Sequence, residues 1–254
     1  NFDSPIFNYS VVNSINGAFQ SHVRLAYNSN NLLASHWFLT EDKELRDLYD
    51  FAINNFPKIE EEILTVNGIQ TSKNDVYLLK KKYITGETDD IIHFTVISNK
   101  KENSFSIEKK LLRDFYKKSP RVQGKSYKKL IADTLVLFPY KNGKVIDSSI
   151  MASEYPNAFD YLNSKKDKLL PKEMGGTRDV PDPTEWYQFG RTQFLKESTQ
   201  DKIIVGVMSK QPNFNIDRTN MLFSSGSTAG DIDIIMKKGS EYKLEYIQAW
   251  LIHP

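Results

Sequence analysis

Ile203-Ile204-Val205-Gly206-Val207-Met208 is the most restrictive stretch of this 254-residue chain. Alternate side chains of a strand point to opposite faces, so a continuous β-branched run describes a strand covered on both sides. Such a strand demands a layered core, and 39% hydrophobic residues over this length are enough to build one. Its neighbours read differently. Upstream, Trp186-Tyr187-Gln188-Phe189-Gly190-Arg191-Thr192-Gln193 has neither a helical nor an alternating period. It reads as a partly exposed loop that sets aromatic stacking faces beside fork-shaped donors, a surface for planar polar ligands. Downstream, Leu222-Phe223-Ser224-Ser225-Gly226-Ser227-Thr228-Ala229-Gly230-Asp231 strings hydroxyls between residues without bulk. Backbone N–H groups and the hydroxyls of Ser224, Ser225 and Thr228 could there approach a phosphate closely, although a mobile surface turn has the same composition.

Along the rest of the chain, residues 1–39 suggest a couple of strands, and Leu45, Leu48, Tyr49, Ala52 and Phe56 step at helical spacing between a Thr40 cap and Pro57. Val66-Asn67-Gly68 reads as a turn. Val76–Ile84 and Ile91–Ser98 read as paired strands, and Ile107, Leu111, Leu112 and Phe115 place a helix over Ser106–Tyr116. Asn142-Gly143 supplies two positive φ values for a tight hairpin between Thr134–Tyr140 and Lys144–Ile150. Pro156 opens a helix carrying Phe159 and Leu162, whose lysine-rich end suits a C-terminus. Met174–Thr184 is loop, short strands follow near Phe214, Leu222 and Ile234, and a last helix runs from Ser240. The sum is an α+β fold with mainly antiparallel sheets and several flanking helices.

Several classes are excluded or disfavoured. There is no cysteine, hence no disulfide and no thiolate metal site, which fits a cytoplasmic location. His22, His36, His93 and His253 form no spaced ligand pair. No run reaches the ~20 apolar residues of a membrane span, so no membrane partner is expected. The overall charge is only +2, but its distribution is uneven: −5 over residues 1–72, +9 over 73–144 and −2 over 145–254. A basic middle third matches the electrostatic footprint of a phosphate-binding surface, and equally a solvated lysine-rich face.

Candidate chemistry is sparse. Asp182-Pro183-Thr184-Glu185-Trp186 imitates the Asn/Asp-Pro-Pro-aromatic loop that acts on exocyclic amines, but Thr184 replaces the second proline and Trp186 falls one position late. Glu108-Lys109-Lys110, with Asp89 and Asp90 upstream, has the residue types of a metal-dependent nuclease. Glu108 is also placed to cap the helix expected there, and capping is the preferred reading. Asp231 and Asp233 alternate on what reads as a solvated strand face. Ser224 and Ser225 have no base nearby in sequence. Binding chemistry uses more of the residues. Lys125, Lys128 and Arg121 around Tyr127 suit phosphates, while Gln70, Asn74, Arg191 and Gln193 can make two-pronged contacts to base edges.

The order of Gly68-Ile69-Gln70-Thr71, Asn74-Asp75-Val76-Tyr77, Leu137-Phe138-Pro139-Tyr140, Tyr155-Pro156, Tyr161-Leu162, Trp186-Tyr187-Gln188-Phe189-Gly190-Arg191, Lys202-Ile203-Ile204-Val205, the Ser/Gly run and Trp250-Leu251-Ile252-His253-Pro254 resembles the TaqI-type target-recognition domain. That domain follows the catalytic domain of adenine-specific DNA methyltransferases and of type IIG restriction-modification enzymes. The resemblance spans about residues 60–254. It implies a DNA target-recognition domain over 61–254 that binds double-stranded DNA. Residues 1–60 would then be connecting strands and a helix from an upstream methyltransferase domain of the same polypeptide. It further implies no catalysis, no metal and no cofactor of the chain's own, with S-adenosylmethionine, and Mg²⁺ where a nuclease is fused, used elsewhere in the parent enzyme. The chain starts at Asn1 rather than Met and is expected to be a piece of that longer protein. The resemblance places the Gly68–Thr71 and Trp186–Arg191 loops at the DNA cleft; together with the residues chosen by their chemistry, the expected DNA-contacting set is Gln70, Thr71, Asn74, Arg121, Lys125, Tyr127, Lys128, Trp186, Tyr187, Arg191, Gln193, Ser224, Ser225 and Thr228. Two other classes stay open at this point. One is a specificity or effector subunit that touches DNA only within an assembly, the other a stand-alone metal-dependent nuclease using Glu108.

Overall fold

The structure is a computed structural model that describes residues 6–11, 21–26, 42–56, 58–98, 101–116, 131–181, 185–206, 214–225 and 231–252. The chain divides into two compact units, Asn1–Glu61 and Glu62–Pro254. The first holds an antiparallel hairpin, β1 (Ile6–Val11) with β2 (Ser21–Ala26), and the helix α1 (Lys43–Asn55). Asp42, not Thr40, caps α1, its carboxylate accepting from the Glu44 and Leu45 N–H groups; Thr40 itself lies outside the described residues. The helix ends at Asn55, and its C-cap Phe56, the residue before Pro57, is extended, as expected where a following proline disfavours the αR conformation.

The second unit is α+β. In chain order it contains β3 (Ile63–Asn67), the single turn α2 (Asn74–Tyr77), β4 (Leu78–Lys80), β5 (Ile84–Glu87), β6 (Ile91–Ser98), β7 (Lys101–Glu108), β8 (Leu112–Tyr116) and β9 (Thr134–Leu137). There follow β10 (Tyr140–Lys141), β11 (Lys144–Val145), α3 (Ser148–Glu154), α4 (Pro156–Asn163), α5 (Lys166–Leu169), β12 (Lys202–Gly206), β13 (Phe214–Asp217), β14 (Leu222–Phe223), β15 (Asp231–Met236) and α6 (Leu244–Ile252). One antiparallel sheet has the order β13-β12-β15-β3, and a second runs β14-β8-β9-β4 with β14 parallel to β8. A third is the meander β5-β6-β7.

The continuous run at residue 203 is a covered strand, as its composition requires: Ile203 and Ile204 are fully buried in β12, flanked by β13 and β15. The strand begins on a buried lysine. Lys202 faces Asp217 across the β12–β13 ladder, with Nζ 3.4 Å from Oδ2, and donates to the Ser198 carbonyl at 2.6 Å, so its charge is paired and hydrogen-bonded. The Asn142-Gly143 turn has φ +53° and +78°, the pair of left-handed residues that a two-residue hairpin needs. Its strands are only β10 and β11, however, because Thr134–Leu137 pairs with β4 and β8 and residue 148 already starts α3.

Other expectations are corrected. Residues 106–116 are not helical: β7 ends at Glu108, a 3₁₀ turn spans Lys109–Leu111, and β8 follows. The turn shifts the strand phase, so Ile107, Leu111, Leu112 and Phe115 are all buried although their spacing imitates a helix. Val66-Asn67 belongs to β3 rather than to a turn. Of the two strands expected at 76–98, β5 and β6 do pair, but Val76 and Tyr77 lie in a helical turn and Leu78–Lys80 joins β9. Asp233 is 1% exposed at the middle of its sheet, not on a solvated face.

The main core lies between the second and third sheets and the helices α3 and α4, and it is rich in rings. Phe189 sits edge-on to Tyr77 at 4.9 Å, Phe138 lies 5.9 Å away, and Phe105 stacks on Tyr161 at 4.4 Å. Each fully buried ring of this size contributes about 1.5–3 kcal/mol. Glu108 ties β7 to α4: its carboxylate accepts from Asn157 N–H and Nδ2 and from Ala158 N–H, each at 2.9 Å. It caps a helix, as its residue type suggested, but a helix 50 residues further on.

Candidate nucleic-acid interface

Three segments meet where the first and second sheets come together. Leaving β3, the chain passes through Gly68, and Ile69 then runs parallel to the end of β14, its N–H donating to Phe223 O (2.8 Å) while Ser225 N–H donates to Ile69 O (2.9 Å). Gly68 is obligatory for this approach, because a Cβ there would sit 2.6 Å from the Phe223 carbonyl. One residue on, Gln70 forms an antiparallel bridge to Arg191, with Arg191 N–H donating to Gln70 O and Gly190 N–H to Thr71 O. Gly190 is equally constrained: a Cβ would lie 1.8 Å from the Ser72 hydroxyl.

These crossings enclose a groove of about 350 Å³ lined by Asn67, Gln70, Arg191, Gln193, Phe194 and Ser225. Arg191, Gln193 and Phe194 are exposed there, and Gln70 and Ser225 are half-buried. Cross-strand neighbours project their side chains together, about 5 Å apart at Cβ. A guanidinium and a carboxamide, each able to make a two-pronged hydrogen bond, therefore stand side by side at the groove.

The loop behind the groove is held by buried polar contacts. Arg178, 4% exposed, donates to the carbonyls of Leu169 (2.9 Å), Trp186 (3.3 Å), Thr71 (3.4 Å) and Gln188. It thereby fastens both strands of the Gln70–Arg191 crossing from the inside. Tyr77 donates to the Tyr187 carbonyl (2.8 Å), and the Phe189 N–H donates to the Tyr140 hydroxyl. Burial pushes the phenols of Tyr77, Tyr140 and Tyr187 far up, so all three stay protonated as hydrogen-bonding groups.

The expected contact residues divide into groups. Gln70, Arg191, Gln193 and Ser225 are brought together. Ser224 is half-buried beside them, in the bridge to Ile69. Asn74 is exposed on α2, accepting from the Thr71 hydroxyl at 2.7 Å. Three assignments need correction. Thr71 is 2% exposed and its hydroxyl is engaged in the turn that precedes α2. Trp186 (6%) and Tyr187 (0%) belong to the core, where Tyr187 packs edge-on against Trp186 and against Phe159 of α4 and their apolar area is removed from water. Tyr187 donates its hydroxyl to the Ile146 carbonyl, and the cation above Trp186 is Lys166, 5.2 Å from the ring centroid. Arg121, Lys125, Tyr127, Lys128 and Thr228 lie outside the described residues, as does the Asp182-Pro183-Thr184 loop.

Arg178, the close approaches at Gly68 and Gly190, and the exposed ring of Phe194 were not anticipated. Phe194 has φ +61°, a left-handed backbone that costs a bulky residue about 1–3 kcal/mol. Among the described residues, no group of three or more His, Asp or Glu side chains is arranged to hold a metal ion. Glu108, the proposed nuclease acid, is turned to the start of α4. No helix of the described residues is long and apolar enough to cross a membrane.

No family model matches the chain. It is 29% identical over 240 residues to the type II restriction enzyme and methyltransferase RM.Eco57I of Escherichia coli. That alignment takes in 89% of this chain but 23% of the relative, so the chain spans about a quarter of the longer protein's length. This relationship is to a part of a restriction-modification enzyme.

Proposed function

We propose that this chain is the DNA target-recognition module of a restriction-modification adenine methyltransferase, of the TaqI-type class. The reading rests above all on the Gln70–Arg191 bridge, which sets two base-reading side chains side by side at one groove, with Gln193 beside them. In the major groove Arg pairs bidentately with guanine and Gln with adenine, each such pair discriminating by about 1–3 kcal/mol. The lysine-rich segment 117–129 supplies phosphate contacts that fix register without reading sequence. The relative's printed name carries both restriction and methylation, and a module of this kind would deliver DNA to such catalytic parts. S-adenosylmethionine, and Mg²⁺ for any cleavage, would act there rather than on this chain's residues.

The test is selection from a random duplex library with the 254-residue chain, followed by anisotropy titrations across a salt series. The reading predicts an enriched short site, bound with an affinity that falls steeply as salt rises. No enrichment, with binding insensitive to salt, would reject it.

A further inference from the structure

We infer that Asn67 is a further base-reading side chain, and that the groove selects a purine run on one DNA strand, adenines with a single guanine among them. The inference rests on the DNA reading above and narrows its ligand. Asn67 ends β3 opposite Ile232 and is exposed, and it lines the same groove as Gln70, Arg191 and Gln193. Three carboxamides and one guanidinium thus share one groove. Among the described residues, none of these four side chains has a hydrogen-bond or ion-pair partner. Elsewhere the same groups are spent on the fold: Asn157 Nδ2 donates to Glu108 at 2.9 Å, Gln248 Nε2 to the Phe214 carbonyl at 2.6 Å, and Arg178 to buried carbonyls. Planar forks left open side by side are available to a ligand that presents matching edges.

The chemistry of the lining decides which edges match. A carboxamide offers a donor and an acceptor, which fit N7 and the N6 amino group of adenine; a guanidinium offers donors only, which fit N7 and O6 of guanine. Cytosine presents an N4 donor and calls for a carboxylate, and neither Asp nor Glu lines the groove. The four forks therefore favour purines on the strand that faces them. Ser225 serves either kind of base and adds no preference. Gln70 and Arg191 are cross-strand neighbours about 5 Å apart at Cβ, and bases follow one another about every 3.4 Å along a strand, so the two side chains address consecutive positions. The guanine read by Arg191 then abuts the adenine read by Gln70.

The experiment repeats the library selection with wild-type chain and with Asn67→Ala, Gln70→Ala, Gln193→Ala and Arg191→Ala. Each variant should relax the preference at one position of the enriched site by roughly 5- to 150-fold, and the four positions should be purines of one strand, three adenines and a guanine. Asn67→Ala should melt within a few degrees of wild type, because the side chain is exposed. Asn67→Asp keeps the shape of the side chain but only accepts, and it should move its position from adenine to cytosine. Placing 7-deazaadenine, which lacks N7, at that position should weaken wild-type binding and leave Asn67→Ala no weaker than before. Relaxed positions that hold pyrimidines, or purines split between the two strands, would overturn the inference and leave the DNA reading standing. So would Asn67→Ala and Asn67→Asp chains that both enrich the wild-type site unchanged. Wild-type chain that enriches no duplex would reject both.

Discussion

Trp186–Phe189 and Gly190–Phe194 are consecutive in the chain and opposite in character. In the first, four side chains between 0% and 6% exposed fill the core; in the second, Arg191, Gln193 and Phe194 stand in solvent around a groove. The change falls at one residue, Gly190, whose missing Cβ lets the chain cross Ser72. The buried half supplies rigidity, and the exposed half inherits it. A site built on a loop is imprecise unless its backbone is over-determined, and here the bridge to Gln70 and the Arg178 contacts provide that.

If the two halves divide labour in this way, substitutions in the first should cost stability and those in the second should cost recognition. Phe189→Ala removes a ring in contact with Tyr77, Phe138 and Tyr140 and should lower unfolding free energy by about 3–5 kcal/mol in urea titration. A loss below about 1 kcal/mol would mean that this segment is not the support described. Arg178→Ala leaves buried carbonyls without a donor and should cost about 3 kcal/mol, again as a shift of the urea midpoint. Amide exchange should then rise at Gln188–Arg191 and at Thr71 before the rest of the core.

Gly190→Ala should cost about 1–3 kcal/mol through collision with the Ser72 hydroxyl. Ser72 itself holds φ +59°, so Ser72→Gly should recover most of that loss, and a double-mutant cycle should show strong non-additivity. Additive behaviour would place the two residues apart. Arg191→Ala should be the smallest in stability, within about 0.5 kcal/mol of wild type, because the side chain is exposed.

What could be read in the residues follows the range of the interaction that decides each feature. Local steric demands were legible: Asn142-Gly143 needs two positive φ values wherever it occurs, and Pro156 suits the first turn of α4. The covered strand at Ile203 declared itself through an unbroken apolar run. The 106–116 segment did not, since a 3₁₀ turn at Lys109–Leu111 produces helical spacing from two strands. Gln70, Arg191 and Gln193 were recognisable as base-reading types, but their meeting depends on a crossing between residues 121 positions apart in the chain, Gln70 and Arg191. Trp186 and Tyr187 were misassigned because an aromatic side chain suits a core and a stacking surface equally well. Arg178 gave no local signal, as each of its carbonyl partners belongs to another turn of the fold.

On the function proposed here, the Gln70–Arg191 crossing reads base edges. The most direct measurement is the affinity ratio between the enriched duplex and a scrambled one, for wild type and Arg191→Ala at one fixed salt concentration. The ratio should fall by roughly 5- to 150-fold in Arg191→Ala while affinity for scrambled DNA barely moves. Equal losses on both duplexes, leaving the ratio unchanged, would make Arg191 a phosphate contact and contradict the claim.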